Sequence, residues 1–78
     1  MAMAFGRPVK RSVTIAGHQT SVSLEPVFWR ELERAAEQSG KPVNALVAEV
    51  DALRLESRPA PNLTSALRQW LFARVTVE

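Results

Sequence analysis

Between Gln19 and Leu24 the chain alternates polar and apolar residues without a break, and at Glu25-Pro26 the period becomes helical. Successive side chains of a strand point to opposite faces. Thr20, Val22 and Leu24 therefore share one face, and Gln19, Ser21 and Ser23 share the other. One face reads as core; the other carries only uncharged hydrogen-bonding groups. So short a strand is not stable alone in water and needs a partner strand. Which strand pairs with it, and what its polar face touches, is the functional question.

The chain has 78 residues, enough for one small domain. A chain of this length buries only about 60–65% of the surface its unfolded form exposes. It has no Cys for disulfides, and a single His makes a structural zinc site improbable. Stability is therefore expected to come from oligomerisation. Hydrophobic residues make up 46% of the chain without an apolar run long enough to span a membrane. Met1-Ala2-Met3-Ala4-Phe5 is too short for the apolar region of a signal peptide. The expectation is a cytoplasmic protein with no membrane association.

Net charge is +2, unevenly spread. Residues 1–11 hold Arg7, Lys10 and Arg11 and no acid, whereas residues 25–58 hold five basic and seven acidic side chains. A basic arm beside a polar strand suits a nucleic-acid surface; the same charge also suits a solvated leader.

Ser12-Val13-Thr14-Ile15-Ala16 alternates as well, with Val13 and Ile15 on one face. Gly17-His18 then fits the two-residue loop of a type II′ hairpin, which places Ile15 opposite Thr20, Val13 opposite Val22 and Ser12 opposite Ser23. The apolar side chains then fall on one face and the hydroxyls on the other, although an extended segment bending at Gly17 also fits the pattern. His18 reads as a turn residue rather than a catalytic group.

The first helix is predicted from about Pro26 to Ser39. Pro suits a first helical position, Phe28, Leu32, Ala35 and Ala36 repeat at helical spacing, and Trp29 broadens the stripe. Its other face, Arg30, Glu31, Glu33, Arg34 and Glu37, is a solvated surface of mixed charge. Gly40 is predicted to end it as a left-handed cap. A second helix follows a tight corner and runs from near Val43 to about Arg54, with Val43, Leu46, Val47, Val50 and Leu53 as its stripe. Residues 56–61, with two prolines, form a linker. Asn62 caps a third helix over residues 62–75, whose core spacing is Leu63, Ala66, Leu67, Trp70 and Leu71. The domain plan is thus a flexible basic arm (1–11), a core (12–55), the linker and the C-terminal helix.

Catalytic constellations cannot be assembled from these residues. There is no Cys nucleophile, the one His has no carboxylate near it in sequence, and three glycines never cluster. No cofactor, metal site or catalytic residue is expected, and the chain reads as a non-enzyme.

Strand, helix starting at Pro26, Gly40-Lys41-Pro42-Val43-Asn44 corner and second helix resemble the ribbon-helix-helix family, typified by the Arc and MetJ repressors; the match covers roughly Gln19 to Leu53. The Lys10–His18 stretch and the third helix are similar to a bacterial subgroup of short members. The resemblance implies an α+β fold and an intertwined homodimer: two copies of the strand pair antiparallel across a two-fold axis. It implies a dimer core of Val22, Leu24, Phe28, Leu32, Leu46 and Val50 that neither chain buries alone. It further implies a regulator binding double-stranded DNA at repeated sites, with ribbon residues in the major groove. Carried onto this chain, Gln19, Ser21 and Ser23 contact bases, while Lys10, Arg11, Lys41 and the helix start at Val43 and Asn44 contact phosphates. Pro42 stands where relatives often place a capping Ser, which removes one amide from that phosphate nest. If each strand also carries a hairpin partner, the dimer has four strands about 4.8 Å apart, as wide as the roughly 12 Å groove. The outer strands must then curl away. The alternative is a protein-interaction module, an antitoxin-like or adaptor dimer, that uses the extra N-terminal strand or the third helix, the latter docking a partner through Trp70, Leu71 and Phe72.

Overall fold

The computed structural model describes residues 5–76, so the first four residues of the expected basic arm lie outside the described residues. Two strands, β1 (Val9–Ile15) and β2 (His18–Leu24), precede three helices, α1 (Pro26–Ser39), α2 (Val43–Leu55) and α3 (Leu63–Thr76). The strands pair antiparallel as a hairpin in one two-stranded sheet. Its apolar face packs against the helices.

The turn of this hairpin differs from the sequence expectation. Ala16 and Gly17, with φ of 51° and 81°, form the two-residue loop, and His18 is the first residue of β2. Two consecutive positive φ values are those of a type I′ turn, whose twist matches the flanking strands. Ile15 therefore faces His18, Val13 faces Thr20, and Ser12 faces Ser21. Every pairing moves by two residues relative to a Gly17-His18 turn. Because two is the side-chain period of a strand, the faces are preserved although the partners change. The ladder also reaches back to Val9 opposite Leu24, so Lys10 and Arg11 stand within β1 rather than in a flexible arm.

α1 starts at Pro26 after the extended Glu25 and closes on Gly40 at φ 67°, where the Gly40 and Lys41 amides donate to the carbonyls of Glu37 and Ala36. A left-handed residue at this point satisfies the last carbonyls and turns the chain sharply. α2 follows with Pro42 as its N-cap. Asn62 caps α3 by accepting a 2.8 Å hydrogen bond from the Ser65 amide through Oδ1.

The core contains Val13, Val22 and Leu24 from the hairpin, and Trp29, Leu32, Ala35 and Ala36 from α1. Leu46, Val47 and Val50 of α2 and Ala66, Leu67 and Leu71 of α3 complete it. A single chain thus buries Val22, Leu24, Leu32, Leu46 and Val50, and the premise that these need a second chain does not hold. α3 is the reason: it packs against both other helices and β2, covering surface that would otherwise call for a partner.

Two stripes are also turned from their expected centres. On α1 the fully buried aromatic is Trp29, whose Nε1 donates to the Val9 carbonyl at 2.8 Å; Phe28 is only half-buried. On α2, Leu53 is 51% exposed and lies outside the core. In α3, Leu71 is buried and Trp70 half-buried, so this part of the helix serves its own chain's core.

At the joint between β2 and α1, the Arg68 guanidinium forks onto both Glu25 carboxylate oxygens at 3.0 and 3.2 Å. A hydrogen bond from its own backbone amide, and then the Arg68 contact, hold the Glu25 carboxyl below the ordinary glutamate range. A lowered folded-state pKa contributes stability above the unfolded pKa, and that stability is lost as pH falls through the folded value. An NMR titration should place the Glu25 midpoint below that of an unstructured glutamate, and Arg68→Met should raise it. The weight of α3 in the core is measured separately. Leu67→Ala should lower unfolding free energy by about 2–5 kcal/mol in chemical denaturation, as other buried leucine truncations do.

Candidate nucleic-acid interface

The hairpin register sorts β1 and β2 into two chemically distinct faces. Towards the helices point Val13, Ile15, Thr20, Val22 and Leu24. Away from them point Lys10, Ser12 and Thr14 of β1 and Gln19, Ser21 and Ser23 of β2, paired as Lys10–Ser23, Ser12–Ser21 and Thr14–Gln19. Five of these six are exposed and Ser23 is half-buried. Among the described residues, no acidic side chain of the two strands stands on this face. Among the described residues, no side-chain hydrogen bond or ion pair occupies any of the six side chains. Their donors and acceptors are available to a ligand.

The structure thus brings Gln19, Ser21 and Ser23 to one surface together with Lys10. Ser12 and Thr14 join them, and the sequence reading did not include these two among the contacting residues. Their signal was present in the alternation of residues 12–16, which puts their hydroxyls on the face of the β2 serines once the strands pair.

Arg11 is not on this surface. Adjacent residues of a strand face opposite ways, and Arg11 lies opposite Val22 on the helix-facing side. Its guanidinium carbon stacks 4.6 Å from the Trp29 ring centroid and its Nη1 donates to Glu33 Oε2 at 2.8 Å. The stem covers the buried indole while the charge stays at the rim. His18 is exposed at the turn end of that same side, opposite Ile15.

The start of α2 lies beside the outer edge of β1. Ile15 and His18 close the turn as a hydrogen-bonded pair, so the alternating ladder turns the Thr14 amide outward. Asn44 Oδ1 accepts that amide at 3.2 Å. With Pro42 as N-cap and no side-chain cap, the amides of Val43 and Asn44 begin a helix whose first turn is open at its positive end. Lys41, just ahead of it, forms a surface ion pair with Glu49. Such exposed pairs are weak and exchangeable. The far edge of β2 has no neighbouring strand among the described residues.

The arrangement is a narrow ribbon with a neutral-to-basic polar face, flanked along one edge by a helix N-terminus. The side chains on it suit hydrogen bonding to base edges, and the flank suits an anion. No group of His, Cys, Asp or Glu among the described residues is placed to hold a metal ion. No helix among them is long and apolar enough to cross a membrane.

Comparison with known proteins bears on this surface. A family model described as a ribbon-helix-helix domain matches residues 8–75, which takes in the hairpin and all but the last residue of α3. No curated protein and no solved structure matches the chain significantly.

Proposed function

The chain belongs to the ribbon-helix-helix family, whose domains are generally DNA-binding units of transcription regulators or antitoxins, and from that premise we propose that it is a sequence-specific DNA-binding regulator reading the major groove with the polar face of its hairpin. The observation that carries this reading is the register. It leaves six side chains with hydrogen-bonding capacity on one uncommitted face of a two-stranded ribbon, the element a major groove admits.

In this reading Gln19 makes the most discriminating contact, because a carboxamide matches the N6 and N7 groups of adenine. Ser21 and Ser23 are small and permissive, and Ser12 and Thr14 add hydroxyls from β1. Phosphate contacts fall to Lys10, Lys41 and the amides of Val43 and Asn44 at the start of α2. Asn44 positions that start against the ribbon by holding the Thr14 amide. Arg11, engaged with Trp29 and Glu33, supports the fold under the ribbon. The family's typical members are not enzymes, and this role requires no cofactor. On this reading the protein works in the cytoplasm of a bacterium.

The open edge of β2 supports a second reading, in which a partner strand adds to the sheet as in antitoxin-like assemblies. Docking through α3 is less well supported, because Leu71 is committed to the core.

The two readings separate in a selection from random duplex DNA followed by binding measurements across salt concentrations. Lys10→Ala should make the dependence of log affinity on log salt shallower by about 0.9, the loss of one phosphate contact, or relax selection at one base pair if Lys10 reads a base. Arg11→Ala should leave the slope unchanged. Gln19→Ala should cost about 1–3 kcal/mol of discrimination at one position. Absence of any selected sequence at moderate salt would overturn the regulator reading.

A further inference from the structure

We infer that the dimer is joined below its ribbon as well as along it: the face of α3 centred on Phe72 packs against the same face of a second copy. This rests on the two-chain ribbon of the family and not on DNA binding.

A ribbon shared between two chains needs a free strand edge in each. The outer edge of β1 is occupied where Asn44 accepts the Thr14 amide. The far edge of β2 has no neighbouring strand among the described residues, so a second copy joins along β2. Beneath the sheet, β1 packs chiefly on α2, whereas β2 packs on α1 and α3. α3 therefore lies on the side of the fold that faces the second copy.

The chemistry of α3 suits contact with itself. Leu67 and Leu71 turn into the core of their own chain, while Gln69, Phe72 and Ala73 are exposed. Phe72, at 66% exposure, is a large apolar side chain turned outward. With the half-buried Phe28 of α1 and with Arg68, these three residues line a shallow groove of about 520 Å³. α3 contains no acidic residue. Its two cations are both engaged within the chain, Arg68 on Glu25 and Arg74 over the Trp70 ring and on Gln38. Two copies of this face meet without an uncompensated charge between them.

The groove is also continuous with the ribbon. The Arg68 guanidinium carbon lies 5.7 Å from the Phe28 ring centroid and the same group binds Glu25, the residue that follows β2. The groove thus opens at the end of the strand whose edge meets the second copy. In a two-fold contact one patch serves both chains. Phe72 of each copy enters the groove of the other, where the small Ala73 lets the two helices approach. Each dimer then buries the aromatic side chain twice.

The test contains no DNA. Sedimentation across a concentration series gives the dimer dissociation constant of the full chain and of Phe72→Ser. The substitution should leave the helical circular dichroism unchanged, because Phe72 is mostly exposed in one chain. It should raise the dissociation constant at least about tenfold. Because the chain has no Cys, single cysteines report which surfaces meet. Ala73→Cys should be joined into covalent dimers by the shortest bismaleimide, and Arg34→Cys, on the solvated face of α1, should not. If Phe72→Ser fails to fold, the cross-linking decides alone. An unchanged dissociation constant, or no cross-link at Ala73→Cys in a protein that sediments as a dimer, would overturn the proposal and leave the groove to another occupant. A full chain that stays monomeric at every concentration would overturn it together with its dimeric premise.

Discussion

The turn at Ala16-Gly17 fixes everything that the hairpin presents. Both residues have positive φ, a conformation that costs a non-glycine residue roughly 1–2 kcal/mol and that Ala16 adopts here to close a type I′ turn. The turn sets the register, and the register sets which side chains face the helices. A slip of one residue would send Lys10, Ser12 and Thr14 to the other side of β1. With the observed register, Val13, Val22 and Leu24 lie over Trp29, Leu32 and Val50 in one core. The polar face is the reverse of that packing.

Much of this was legible in the sequence because alternation and helical spacing report burial directly. The α1 boundaries, the Gly40 corner, the Asn62 cap and the separation of serines from valines on the ribbon all follow from residue type at a given position. The register did not, because Gly17 suits either a type I′ or a type II′ loop and the two registers, two residues apart, leave the same side chains on each face. The place of α3 was also hidden. Its apolar spacing identifies a helix with a buried side but not the surface that buries it. That surface belongs to the same chain, and the expectation that burial requires a dimer fails for this reason. Arg11 was misplaced by charge reasoning, which groups it with Lys10; strand geometry puts the two on opposite faces.

The candidate site follows from the same facts. Its outward face has one cation, Lys10, with hydroxyls and one carboxamide around it. A surface of this kind gains little from non-specific attraction to a polyanion and depends on matched hydrogen bonds. Arg68 and Arg54 pair with Glu25 and Asp51 within the fold, and Arg11 forms a surface pair with Glu33 on the opposite side of β1. The backbone amides at the start of α2, fastened to the ribbon by Asn44, add an anion-favouring flank that carries no net charge. In the proposed reading, discrimination would rest on these hydrogen bonds and the salt dependence of binding would be shallow.

The most direct test of DNA reading by the hairpin is an NMR map of the chain with and without its selected duplex. Large shifts should cluster at Lys10, Ser12, Thr14, Gln19, Ser21 and Ser23 and at the amides of Val43 and Asn44. Leu67, Leu71 and the exposed end of α3 should stay nearly unchanged. Shifts concentrated on α3, with the hairpin's polar face silent, would contradict that assignment.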